Sequence, residues 1–177
     1  MNRKLKIINN FKPCPVDDGD EMYPNGIFNF NITKMAEFIQ NQNIPCEEIL
    51  VRDYSRGSSK FKEDHVETVD IIKPVIVAEI SPGRYNVIDG YHRMEKARRL
   101  GIEKLQAYKL RPEQHLQFLT TEKGYLAYIE YWNGKLKDAK RYERQANPKV
   151  HLGANPKQCQ IAQHPSRIAQ KTTKIAT

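Results

Sequence analysis

The run Pro74-Val75-Ile76-Val77-Ala78-Glu79-Ile80 limits this chain more than any other stretch. It is β-branched and apolar, which fits a strand buried on both faces and little else. Ser81-Pro82-Gly83-Arg84 supplies a turn and Tyr85–Ile88 reads as a returning strand, so a hairpin is predicted. From Tyr91 the period changes. Tyr91, Met94, Ala97 and Leu100 fall on one stripe of a helix, Arg98 and Arg99 sit in its last turn where cations suit the dipole, and Gly101 is placed to end it. Ile102–Leu110 returns to strand character. Strand, turn, strand, helix, strand predicts an α/β (α+β) fold, a small mixed β-sheet with packed helices.

Asp89-Gly90-Tyr91-His92-Arg93 stands at the strand-to-helix junction. The first N–H groups of a helix lack intrahelical partners, and the dipole adds partial positive charge there. Gly90 carries no Cβ, so an anion can approach the backbone closely. His92 and Arg93 can donate further hydrogen bonds, Arg93 through a planar fork that suits phosphate. Asp89 can cap the helix, hold a metal ion or take a proton. The plainer reading of the same residues is a capped turn with a solvated His–Arg pair.

Asp89-Gly90-Tyr91-His92-Arg93, with Ala97…Leu100-Gly101 after it, resembles the motif of the ParB/sulfiredoxin superfamily, here as a stand-alone member. Upstream, Pro45-Cys46-Glu47-Glu48-Ile49, the Arg-bearing loop Arg52–Arg56 and Lys73-Pro74-Val75-Ile76-Val77 are also similar to it. The likeness covers about Ile44–Leu110. It implies a phosphate site, usually for a nucleotide, formed by Gly90, Tyr91, His92 and Arg93 with Arg52 and Arg56 from the loop. The nucleotide implied is ATP, ADP or CTP, with Mg as a candidate companion. Sulfiredoxins carry a catalytic Cys immediately before the His-Arg pair; Tyr91 occupies that place, so no thiolate is available for sulfinic-acid repair. Chromosome-partition relatives add helix-turn-helix and dimerisation domains, for which this chain is too short. Small stand-alone members transfer phosphoryl groups to small molecules, using a carboxylate on a loop before the core; Asp53 is the nearest match.

The remaining chain divides by composition. Residues 1–26 are polar and hold the acidic cluster Asp17-Asp18-Gly19-Asp20-Glu21, read as a flexible segment. Ile27–Ile32 alternates as an extended strand would, and Thr33 is placed to cap a helix running to about Asn43. Phe61–Ile71 reads as a short helix with Phe61 and Val69 inward and His65 on the surface. Glu113–Leu119 predicts another short helix and Lys123–Gln145 a longer one. The stripe Tyr125, Tyr128, Ile129, Trp132, Leu136 on that last helix fits core packing better than base stacking. The globular domain is therefore placed at 27–145, with a core at 44–110 and a helical extension at 111–145. Residues 146–177 read as a disordered basic tail. From Gln145 on, five Lys and Arg and no acid supply five of the eight net positive charges.

No apolar run is long enough to span a membrane, and Cys14, Cys46 and Cys159 lack metal-ligand or disulfide spacing, which together read as a cytoplasmic protein. Two classes of function follow. One is a nucleotide-binding hydrolase or phosphotransferase, with Asp89 or Asp53 as the reacting carboxylate. The other is a DNA-binding, partition-like or mobile-element protein using the same site and the tail on backbone phosphate. Oligomeric state is not encoded in any pattern seen here.

Overall fold

The computed structural model describes residues 3–54 and 61–146. In chain order they form β1 (Met22–Asn25), β2 (Phe28–Asn31), α1 (Ile32–Asn41), β3 (Cys46–Leu50), α2 (Glu63–Thr68), β4 (Val75–Ser81), β5 (Arg84–Asp89), α3 (Tyr91–Arg99), β6 (Lys104–Leu110), α4 (Pro112–His115) and α5 (Glu122–Ala146). The main sheet has the order β3-β6-β4-β5, with β4 and β6 parallel and the outer pairs antiparallel. A parallel pair needs a crossover, and β5 with α3 provides it.

All seven residues of β4 are buried, because the sheet is covered on both sides. Val75 and Val77 face a core shared with Val87, Leu105, Met94 and Ala97, the last two from α3. Ile76, Ala78 and Ile80 face the opposite core, filled by α1, α5 and the β1–β2 hairpin. The aromatic stripe of α5 belongs there: Tyr125, Tyr128, Ile129 and Trp132 are buried, as packing required. The end of α3 follows expectation too, with Gly101 at φ +67° where a side chain would be strained. Among the described residues, no helix is long and apolar enough to cross a membrane.

Four details differ from the sequence reading. The strand expected in Ile27–Ile32 is β2, but it does not stand by itself: it pairs antiparallel with the unexpected β1 as a separate hairpin turned at Gly26-Ile27. Asn31, not Thr33, caps α1, its side chain accepting from the Lys34 N–H, while Thr33 Oγ1 accepts from the Glu21 N–H. α2 covers only Glu63–Thr68, and Val66 is its buried residue, with Val69 half-buried. The lead-in expected to be flexible lies, in its described part, along α5. Leu5 exchanges two bonds with the Asn133 amide at 3.0 Å each, the Trp132 indole donates to Arg3 O at 3.1 Å, and Phe11 stacks on Tyr125 at 3.8 Å. The tail beyond Ala146 lies outside the described residues.

Glu79 stands one residue past the last β4–β6 partners, Ala78 and Leu110, so its carbonyl is bonded by side chains. It accepts from Tyr128 Oη at 2.8 Å and pairs with His115 Nε2 at 3.1 Å. His115 is fully buried, and desolvation pulls its pKa from 6.5 down to about 4. Below pH 6.5 the unfolded chain takes up a proton that the folded chain refuses. Stability contributed by neutral His115 is therefore present above 6.5 and lost as pH falls toward 4, with a slope of at most about 1.4 kcal/mol per pH unit. His115→Gln is expected to flatten this acid limb in urea midpoints measured against pH. Parallel limbs for the two proteins would show that His115 does not titrate this way.

Candidate functional site

The register places the C-terminal ends of β3 and β5 and the N-terminal ends of β4 and β6 at one end of the sheet. The junction Asp89–Arg93 therefore opens there, and the β1–β2 hairpin stands beside it. Between them lies a cleft of about 470 Å³, with Asp89, Gly90, Tyr91 and His92 on one wall, Tyr23 and Asn25 on the other, and Phe61 at its edge. The hairpin is tied across by Tyr23, whose hydroxyl bonds that of Tyr91 at 2.9 Å over stacked rings 6.1 Å apart. Burial, then this bond, pushes the Tyr23 phenol up, so it stays protonated.

α3 begins without a side-chain cap. Asp89 does not fill that role; its Oδ2 accepts from Arg93 Nη2 at 2.6 Å, an i,i+4 pair whose side chains are 29% and 17% exposed. The N–H groups of the first turn are thus left for another acceptor. Arg93 Nε is buried without a hydrogen-bond partner. A buried donor left unsatisfied costs about 1–3 kcal/mol, so an anion beside it would relieve a standing penalty.

Gly90 is in the left-handed region at φ +92°. The space its missing Cβ leaves is not held open for a ligand. A Cβ there would stand 2.6 Å from Val75 Cγ1 and 2.8 Å from Arg93 Nε and Nη2. The glycine admits Val75 and the guanidinium of Arg93, which packs behind Gly90 and not on the cleft wall.

His92 lines the cleft with its ring edge-on to His65 at 4.4 Å and to Phe61 at 5.9 Å. Desolvation first, then the charges of His65 and Lys62, lower its pKa below the usual imidazole range. His65 is exposed, as expected, yet it touches the motif. Only the folding of α2 against α3 reveals that. α3 is also clamped from outside: Lys96 Nζ donates to Glu67 O and Val69 O at 2.8 Å each, and Arg98 to Tyr54 O at 2.8 Å.

Arg52 and Asp53 sit in a 3-10 turn after β3, exposed, at the same end of the sheet but not on the walls of the cleft. Arg56 lies outside the described residues. Among the described residues no three metal-ligating side chains gather at one point. Of the two carboxylates lining the cleft, Glu21 and Asp89, Asp89 stands at the helix start and can offer Mg a ligand, a donor set that fits an ion held mainly by water and phosphate oxygens.

The sequence model of the ParB N-terminal domain matches residues 31–120, half of the chain and all of the junction. The chain belongs to the ParB N-terminal domain family. The matched segment runs from the Asn31 cap of α1 to the connection before α5, so the four-stranded sheet and α3 are the family's part. Among solved structures, C-terminally truncated chromosome-partitioning protein ParB from Caulobacter crescentus, complexed with CTP-gamma-S, is similar at 17% identity. That alignment covers 59% of this chain and 64% of the other, less than two thirds of its length, at a TM-score of 0.32. No curated protein matches the chain.

Proposed function

We propose that the cleft binds one nucleoside di- or triphosphate (ATP, ADP or CTP), its phosphates at the N-terminus of α3. The buried, partnerless Nε of Arg93 beside an uncapped helix start is the observation that supports this most. Tyr91, His92 and Arg93 offer backbone N–H groups and Arg93 adds its fork. The ParB structure named above contains CTP-gamma-S, but the proposal for this chain stands on its own cleft. A volume near 470 Å³ is at the small end for ligand sites, suited to one nucleotide rather than a strand.

Turnover, as hydrolysis or phosphoryl transfer, would depend on Asp89. While Arg93 bonds Asp89, the carboxylate is engaged; a phosphate that draws the guanidinium away frees Asp89 to accept a proton from water or an acceptor hydroxyl. Mg, when bound, would neutralise phosphate charge, with Asp89 and water among its ligands. Asp53 would need the loop after β3 to approach the cleft, and it is the weaker candidate for the same role.

Calorimetry with CTP, ATP and ADP, with and without Mg, tests the binding. Arg93→Ala is expected to weaken affinity ten- to a hundredfold, roughly 1.5–3 kcal/mol for a lost charge-assisted fork. The absence of heat for every nucleotide at about millimolar concentration, where binding free energy is only about 4 kcal/mol, would end the proposal. Asp89→Asn separates the remaining roles: binding kept with turnover abolished assigns it the proton, whereas unchanged turnover removes it from the chemistry.

A second reading is supported by charge. Residues 145–177 hold five cations and no acid, so DNA-backbone binding through this segment is expected to fall steeply as salt rises. Duplex binding undetectable at low salt would dismiss it.

A further inference from the structure

Away from the nucleotide cleft, the N-terminal segment and α5 enclose a groove of about 620 Å³. Its floor is apolar, made by Leu5, Phe11, Leu116 and Ile129. Its rim carries Arg3, Lys4, Lys6 and Lys12, all exposed, against the single acid Glu113. Ile8 and Ile7, 64% and 56% exposed, extend the apolar surface along the same segment. An apolar floor ringed by unbalanced cations is the complement of one type of surface: a helix with apolar residues on one stripe and carboxylates beside it.

We propose that this groove docks an acidic amphipathic helix of a partner protein. Two occupants closer to hand fit worse. The chain's own residues 145–177 carry five cations and no acid, so they would meet the rim with like charge. A second copy using the same face across a two-fold axis would set four cations against four. The partner's anchors would be leucine-sized residues at i, i+3, i+4 and i+7, with Glu or Asp flanking them over Lys4, Lys6 and Lys12. This surface is independent of the nucleotide reading, and neither result below bears on that reading.

Trp132 gives the measurement a reporter. It is the only tryptophan in the chain, and its indole donates to the carbonyl of Arg3, on the rim. The probe is a synthetic peptide of about fourteen residues, four helical turns, with Leu on one stripe and Glu elsewhere. Its twin carries Lys in place of Glu. On the intact protein, the acidic peptide is expected to shift Trp132 emission and to raise peptide anisotropy with micromolar affinity, weakening as salt rises from about 50 to about 500 mM. The basic twin is expected not to bind. Ile8→Glu, which changes an exposed side chain and keeps the backbone bonds to Tyr125 and Phe11, and the double change Lys4→Glu with Lys6→Glu are each expected to cost at least tenfold in affinity. Equal binding of both peptides, no binding of the acidic one, or full affinity in the variants would overturn the proposal. So would a sedimenting mass above the monomer that Ile8→Glu abolishes, since the groove would then be occupied by another copy.

Discussion

Gly90→Val is expected to lower the melting temperature by roughly 4–20 °C before any ligand is added. Two costs combine. A β-branched residue held at φ +92° loses about 1–2 kcal/mol to backbone strain. Its Cβ, 2.6 Å from a Val75 methyl in a strand buried on both faces, adds overpacking of about 1–3 kcal/mol. Each kilocalorie moves the melting point of a domain this size by about 2–4 °C. Gly26→Ala is the control. It has φ +63° with nothing within 4 Å of its Cβ, so it keeps the strain and omits the clash. If both variants melt alike, the close approach to Val75 and Arg93 is unimportant. If Gly90→Val melts with the wild type and loses only nucleotide affinity, Gly90 is a ligand contact and not a packing one.

Tyr128→Ala is expected to cost about 3–5 kcal/mol, the range for removing a large buried aromatic side chain. The ring is fully buried, edge-on to Phe28 and His115 and stacked on Trp132 at 6.3 Å, so nothing near it is free to refill the space. Tyr128→Phe isolates the hydroxyl. The Glu79 carbonyl keeps His115 as a partner when that hydroxyl is gone, so the loss should be near 1 kcal/mol. Urea unfolding of both variants checks the pair. A loss as large for Phe as for Ala would place the stability in the hydrogen bond and not in the ring.

What the sequence announces and what it hides follow from how local each cause is. β4 is legible because burial on both faces leaves a continuous apolar run, and α3 because Gly101 and the Arg-rich last turn are local end signals. The stripe of α5 shows its inward face directly, through three- and four-residue spacing. The β1–β2 hairpin escapes because Pro24 within Met22–Asn25 interrupts any strand pattern, although Asn25-Gly26 is itself a turn signal. Choosing Asn31 over Thr33 as the α1 cap depends on Glu21, whose N–H claims the Thr33 hydroxyl from twelve residues away. At the site, the residue types are readable and their pairing is not. Asp89 has the chemistry of a cap, yet Arg93 one turn on competes for the same carboxylate and holds it. His65 joins His92 only because α2 folds onto α3.

The tie between Tyr23 and Tyr91 spans 68 residues, and the bridge from Phe30 to Leu119 spans more. A chain made from its N-terminus therefore releases the hairpin wall of the cleft long before the helix that completes it. Closing such distant contacts is slow compared with forming hairpins and helices, so the cleft is expected to mature after the β4–β5 hairpin and α3. If the cleft binds nucleotide as proposed, a site assembled this late cannot guide the formation of the β4–β5 hairpin, and nucleotide added during refolding should leave the rate at which β4 becomes protected from hydrogen exchange unchanged.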